Sequence, residues 1–419
     1  MTRDFIHFHR PSIGEEEISE VVDTLRSGWL TTGPRVARFE QEFREYVQAP
    51  HAVAVNSGTA ALHLALAALN IGKGHEVITT PMTFCATVHA ILHMGATPVL
   101  ADIGIDGNID PEQIARCITH RTRAIIPVHL AGLPCEMNAI WALARKHGLR
   151  VIEDAAHAAG ASYESRPIGA RPLGNMPASD ATAFSFYATK NLTTGEGGML
   201  TVQATGLADE ARMLSLHGAS RDAWGRYTEH GGWHYEVLAQ GFKYNLSDIQ
   251  AAIGIHQLRK LDHFIDRRSQ YAAIYQRALG DREELELPAE KPHCRHAWHL
   301  YIVRLNLDRL TIDRDEFIRE LRQRGIGTSV HFIPIPLHPF FSRLPSPLGS
   351  CPRSLVLYRR IVSLPLYPAM TEEEVYYVAR SITEILDHSR RSRFIAPRAV
   401  PLARAELPVR QPTQGVSYE

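Results

Sequence analysis

Between residues 51 and 202, seven short runs rich in Ala, Val, Ile and Phe recur, most of them separated by stretches long enough for a helix. They are HAVAV (51–55), EVITT (76–80), TPVLADI (97–103), RAIIPVHL (123–130), RVIEDA (150–155), ATAFSF (181–186) and GMLTV (198–202). The intervening segments 59–69, 84–94 and 136–147 carry apolar residues at helical spacing. Parallel strands need a crossover of a dozen or more residues, usually a helix, so this alternation predicts an α/β fold with a mainly parallel, seven-stranded, doubly wound sheet. In such sheets ligands gather at the carboxyl ends of the strands. Four segments are thereby singled out: Asn56–Thr59, Asp154–His157, Ser185–Lys190, and the loop running on to Gly198.

Past residue 255 the texture changes to a basic helix (257–279), a strand (298–305), a helix (314–325) and the run IGTSVHF (326–332) before a proline-broken stretch. With 419 residues available, we expect a large domain over 12–255, a small α+β domain over 256–388, and a disordered proline- and arginine-rich tail over 389–419. A first helix is expected near the start: Ser12 and Glu15 have capping-box spacing, Ile18, Val21, Val22 and Leu25 follow at helical intervals, and Gly28 stops the run.

Lys and Arg total 45, as do Asp and Glu, so the chain lacks the net positive charge that polyanion or anionic-membrane binding would use. A small or local partner is favoured over nucleic acid. No apolar run approaches the roughly 20 residues of a membrane span, and the start lacks a signal-peptide pattern, so a cytoplasmic location without membrane insertion is expected. Five widely spaced cysteines without a CxxC read as packing thiols, not as a disulfide framework or zinc knuckle.

At the strand ends, NSGTAALHLAL places a Ser-Gly-Thr turn before an Ala/Leu-rich helix. Its free amides and the hydroxyls of Ser57 and Thr59 can cradle a phosphate, although the same turn serves equally as a plain helix cap. VIEDAAHA delivers Asp154 at a strand end, where a carboxylate can hold a cationic heterocycle or cap the next turn. FSFYATKNLTTGEGGML sets Lys190 inside a glycine-rich turn, where desolvation suits an imine-forming amine. Phosphate cradle, aspartate and lysine on one sheet are together the set needed to hold pyridoxal phosphate.

These segments, with PMTFCATVHAILHMGATPVLADI, GFKYNLSDIQAAIG, HAWHLYIVRL and RGIGTSVHFIPIPLHPFF, resemble the DegT/DnrJ/StrS nucleotide-sugar aminotransferases over roughly residues 10 to 385. Within that family, KYNL and HAWHL resemble the branch making UDP-4-amino-4-deoxy-L-arabinose. The resemblance implies the fold type I, aspartate-aminotransferase architecture. It implies that Lys190 bonds the cofactor as an imine, that Asp154 pairs with the pyridine nitrogen, and that Ser57, Gly58, Thr59 and Ser185 hold the phosphate. Phe84 would stack on the ring, His157 would lie near its phenolic oxygen, Asn245 would reach the cofactor of the neighbouring subunit in a homodimer, and His217 and His331 would line the substrate side. The reaction implied is ping-pong transfer from L-glutamate, through pyridoxamine phosphate, to a nucleotide-linked keto-sugar, most plausibly 4-keto. Tyr187-Ala188 replaces the His-Pro of many members, which bears on substrate detail, and Lys190 argues against the dehydratase branch that carries histidine there. An aminodehydratase of the same family and a non-catalytic cofactor-binding regulator are the alternatives.

Two other groupings are read differently. His293, Cys294, His296 and His299 crowd together like metal ligands, but a strand through 297–305 would divide them between faces. The basic run Arg259–Arg268 alternates with Leu261, Phe264 and Ile265 and reads as a solvated amphipathic face. Because a diphosphate substrate needs positive charge, an electropositive cleft is expected, supplied by helix amides, Lys190 and residues such as Arg221 or Lys243.

Overall fold

A computed structural model describes residues 4–172, 177–220, 234–344 and 349–391. Arg221 and the expected tail from residue 392 onward lie outside the described residues.

All seven expected strands form. They are β1 (His51–Val55), β2 (Glu76–Thr79), β3 (Thr97–Leu100), β4 (Thr122–Ile126), β5 (Arg150–Asp154), β8 (Ala181–Ser185) and β9 (Gly198–Val202), with the two-residue strands β6 (Ser162–Tyr163) and β7 (Arg166–Pro167) in a side ribbon. The sheet order is β1-β9-β8-β5-β4-β2-β3, and β9 alone runs against its neighbours. Strand β4 is shorter than its apolar run because Pro127 has no N–H; its carbonyl instead accepts from Asp154 N at 2.9 Å.

Alternating strand residues build two cores, one on each sheet face. On one face Val53, Val55, Val77, Ile126, Ile152 and Leu200 meet the helix Gly58–Ala68. On the other, Ile78, Ile125, Val151, Phe184 and Met199 meet the helices Pro34–Tyr46, Met137–His147 and Asp248–Leu279. Both faces are covered, so the strands read as continuous apolar runs without polar alternation.

The remainder of the chain forms a three-stranded antiparallel sheet, β10 (Leu285–Glu286), β12 (Tyr301–Leu305) and β13 (Ile361–Leu364), packed with the helices Arg314–Gln323 and Glu372–Ser389; β11 (Cys294–Arg295) pairs with β6. The 32-residue helix Asp248–Leu279 serves both cores: Ala251 to Ile265 pack with the large sheet, Tyr271 to Leu279 with the small one. We propose that the division of the chain falls inside this helix. Ile6 belongs to the small-sheet core and its main chain pairs with Ile326, so the N-terminal segment crosses to the second unit.

Three local expectations change. The first helix spans Glu15–Ser27 with Gly14, not Ser12, as its cap: Glu17, not Glu15, reaches back to the Gly14 amide at 2.8 Å. Its buried residues are Glu17 and Thr24, because Glu17 is held by Lys260 and Gln257, whereas Ile18 and Leu25 are exposed. Arg268 is not on a solvated face; it is fully buried, and its guanidinium donates to the carbonyls of Trp298, His299 and Leu366. Among the described residues no helix is long and apolar enough to cross a membrane, and all five cysteines are free thiols.

Asp248 joins the long helix to the chain's start. Buried, it accepts from the amides of Arg35 at 3.1 Å and Val36 at 2.9 Å, capping the helix Pro34–Tyr46 from a distance in sequence. Asp248→Ala leaves those two amides without their partner, and we expect it to destabilise the protein by about 1–3 kcal/mol, read as a lower thermal or urea midpoint. A midpoint unchanged from wild type would contradict this account of the capping.

Candidate active site

The strand ends surround a cavity of about 650 Å³ lined by residues of both units. Nine of the eleven sequence-predicted site residues line it: Ser57, Gly58, Thr59, Phe84, Asp154, His157, Ser185, Lys190 and His331. His217 and Asn245 do not. After the helix Thr205–Ser215, Leu216 bridges Lys243, His217 N donates to Phe242 O, and Val55 bridges Asn245, so this strip continues along the sheet edge at β1. Asn245 donates instead to the Thr32 hydroxyl at 2.8 Å.

The phosphate-cradle end depends on close backbone approach. Ser57 caps the helix Gly58–Ala68, its hydroxyl accepting from Ala60 N at 3.0 Å, so the capping alternative holds for Ser57 itself, while Gly58 and Thr59 at the positive end of the helix line the cavity. A Cβ on Gly58 would lie 2.8 Å from Ser185 Cβ, and one on Gly198 would lie 2.6 Å from Ser57 C and O. Those glycines bring β8, β9 and the helix start together, leaving space for a phosphate at helix amides.

Phe84 ends the β2 loop as the cap of the helix Cys85–His93 and is 62% exposed, a large apolar ring displayed to the cavity. Asp154, at the end of β5, is buried; its Oδ1 accepts from Ala156 N at 3.1 Å and its Oδ2 from the Thr87 hydroxyl at 2.8 Å. Burial pushes its carboxyl above the ordinary range, and Thr87, Ala156 and Lys190 pull the other way. Lys190 is half-buried against the cavity, and desolvation lowers its amine to about 8, with Asp154 partly opposing.

Burial also holds His157 and His299 neutral, and His331 falls to about 4. His331 Nδ1 bonds Ser363 Oγ at 2.9 Å, and Phe8 stacks against its ring. His157 Nδ1 is buried with no protein partner, an orphaned polar atom on the cavity wall. The residues present therefore fit pyridoxal phosphate: a helix N-terminus for its phosphate, a carboxylate for its ring nitrogen, an apolar ring for stacking, an orphaned imidazole nitrogen and a reactive amine.

Sequence reading missed Thr83, Thr87, Glu196, His299 and Phe332 as lining residues. Thr87 carried a usable signal, standing one helical turn beyond Phe84. His299 was set aside on the assumption of a strand from 297, but β12 begins at Tyr301; His299 is buried, bonded to Asn191 at 3.2 Å and 4.4 Å from the His157 ring. Its expected companions diverge: His293 faces Glu136, and His296 stacks on Trp298. Among the described lining residues Lys190 is the only Lys or Arg, so Lys243 does not line the cavity, and Arg221 lies outside the described residues.

Residues 11–383 match the DegT/DnrJ/EryC1/StrS aminotransferase family. The chain belongs to that family. Its members are pyridoxal-phosphate-dependent sugar aminotransferases of fold type I. The chain is 49% identical over 385 residues to the spore coat polysaccharide biosynthesis protein SpsC of Bacillus subtilis, covering 91% of this chain and 97% of that protein. It is similar to the Streptococcus pneumoniae sugar aminotransferase Spr1654 in its PLP form, with 33% identity, a TM-score of 0.84, and 92% and 99% of the two chains covered. It is also similar to Helicobacter pylori PseC, an aminotransferase involved in pseudoaminic acid biosynthesis, with 30% identity, a TM-score of 0.82, and 92% and 100% covered.

The depressed lysine yields a pH prediction. Below about 8 the amine is protonated and unreactive, and above it the neutral amine dominates, whereas an unperturbed lysine at 10.5 would change over far higher. The rate at which the apo-protein forms its imine with added pyridoxal phosphate, followed by visible absorbance, should rise through pH 8 and level off above it. A rate still climbing steeply more than about one pH unit above that midpoint would show an unperturbed amine.

Proposed function

We propose that this protein transfers the amino group of L-glutamate to the keto group, at carbon 4, of a nucleotide-linked sugar, releasing 2-oxoglutarate and an amino sugar used in a surface polysaccharide, lipopolysaccharide or glycosylated metabolite. The observation that carries this is the desolvated amine of Lys190 sharing one cavity with the Asp154 carboxylate and the Gly58 helix start. The sugar assignment is supported by SpsC and PseC, whose names place them in polysaccharide and pseudoaminic acid biosynthesis.

In this reading Lys190 would bond the cofactor's carbonyl carbon, and Asp154 would hold a proton on its ring nitrogen. Gly58, Thr59, Ser57 and Ser185 would hold the phosphate, Phe84 would cover a ring face, and His157 Nδ1 would meet the phenolic oxygen. Bound pyridoxal phosphate supplies an electron sink for the pair left when the donor's α-proton departs. Lys190 Nζ would take that proton from the donor's α-carbon and return it across the intervening nitrogen, a 1,3-shift, to the carbon that the lysine itself had held. His331, fixed by Ser363 and Phe8, faces the substrate side, and keeping it neutral lets it bond sugar hydroxyls without pairing to a carboxylate.

The same reading includes a homodimer. Ile18, Leu25 and Leu30 are exposed on and just after the first helix, an apolar strip that a second copy would cover. Leu30 leads into Thr31 and Thr32, which bond Asp248 and Asn245, so Asn245 stands beside that strip; in the proposed dimer it would reach the partner's cavity instead of its own.

Purified protein should aminate nucleotide-linked 4-keto sugars with glutamate in preference to 3-keto sugars or glutamine, and Lys190→Ala should abolish the activity. Water loss from the keto-sugar without amination would instead indicate an aminodehydratase, and amination by Lys190→Ala at the wild-type rate would defeat the mechanism. Shared sites make a further prediction: Lys190→Ala and Asn245→Ala chains, each impaired alone, should regain activity when co-expressed, because a mixed dimer has one intact site. Absence of complementation in verified mixed dimers would place Asn245 outside the partner's site.

A further inference from the structure

The main chain of Asp154 is fixed by the segment that follows β4: its N–H donates to Pro127 O at 2.9 Å, and its carbonyl accepts from His129 N at 3.2 Å. That leaves the carboxylate free to turn about its last torsion, which is broad for aspartate. Its aim is set by two donors from different elements, Ala156 N on Oδ1 and Thr87 Oγ1 on Oδ2. The Thr87 hydroxyl has one proton. With that proton given to Asp154, the Thr83 hydroxyl, 2.7 Å away, donates to Thr87, and a chain runs Thr83 to Thr87 to Asp154. All three residues are buried, so no bulk water competes for these bonds. Thr87 also lies on the first turn of the helix capped by Phe84, so one element both presents the aromatic ring and aims the carboxylate.

We propose that Thr87, backed by Thr83, is the positioning residue that turns the Asp154 carboxylate toward the ring nitrogen of bound pyridoxal phosphate. The inference rests on the cofactor site assigned above. Without the hydroxyl, one carboxylate oxygen loses its donor, and the pairing with the ring nitrogen must both orient and solvate that oxygen.

The test titrates the apo-forms of wild type, Thr87→Val, Thr87→Ser and Thr83→Val with pyridoxal phosphate, measuring the dissociation constant, the pH midpoint of the bound cofactor's visible absorption, and the thermal midpoint. Thr87→Val, nearly equal in volume, should bind roughly ten- to hundredfold more weakly, the loss of one hydrogen bond to a buried charge. Its absorption midpoint should move upward, since a less well-held ring proton withdraws fewer electrons from the imine nitrogen. Thr87→Ser should restore both to near wild type, and Thr83→Val should move both in the same direction by less. Wild-type affinity and absorption midpoint in Thr87→Val would overturn the proposal, as would Thr87→Ser behaving like Thr87→Val, since the methyl group and not the hydroxyl would then matter. If Thr87→Val fails to fold, Thr83→Val against Thr87→Ser carries the comparison, and wild-type values for Thr83→Val then overturn the relay. A wild-type protein taking up no pyridoxal phosphate would defeat the cofactor site itself, a result distinct from equal binding by wild type and Thr87→Val.

Discussion

Taking a lysine amine and an aspartate carboxylate out of water costs several kcal/mol per ion unless each meets partners inside the protein. Here the cost is met unequally. Asp154 receives two hydrogen bonds, from Thr87 and Ala156, whereas Lys190 is left to desolvation, with only Asp154 drawing its charge back. The outcome is an acid oriented to hold a proton on a partner and an amine that gives up its own near pH 8. Much of the surrounding structure works to keep these two groups in one water-poor cavity.

That cavity exists because three backbone segments approach more closely than side chains would allow. Gly58 sets the helix start against Ser185, and Gly198 sets β9 against Ser57 and Gly58. The reversed direction of β9 follows from the same turn: the chain leaves β8, passes Lys190 and its glycines, and returns at once beside β8 in antiparallel register from Ser185↔Gly198. The lysine is therefore carried on a tight return and not on a long crossover, which holds it at the sheet's carboxyl edge.

The small unit completes the site through buried polar contacts. Asn191, next to the lysine, donates to Ala297 O and meets His299, while Arg268 gathers the carbonyls of Trp298, His299 and Leu366. Among the described residues Arg268 has no carboxylate partner, and burial lowers its guanidinium to about 9. The loop before β12 is thus wired to the lysine turn and to the long helix, and Phe8 from the N-terminal segment braces His331 from outside.

The seven strands, most of their helices, the turn Ser57–Thr59, Asp154, Ser185 and Lys190 were legible in the sequence because each depends on local information: apolar periodicity, a cap, a glycine turn, or a polar residue at a strand end; Phe84, His157 and His331 were reached only through the family resemblance. Thr87 was legible only through its helical spacing from Phe84, and His299 not at all, since their roles lie in contacts with Asp154 and Asn191, 67 and 108 residues away along the chain. The burial of Arg268 and the exposure of Ile18 and Leu25 escaped for the same reason, as periodicity says that a helix has two faces but not which one is covered. By itself the sequence determined the α/β alternation, the family, and which residues could carry the chemistry. Only the tertiary structure decided which of them share a cavity, how the carboxylate is aimed, and that His217 and Asn245 lie on an edge of the sheet, because those outcomes depend on where distant segments pack and how much water they exclude.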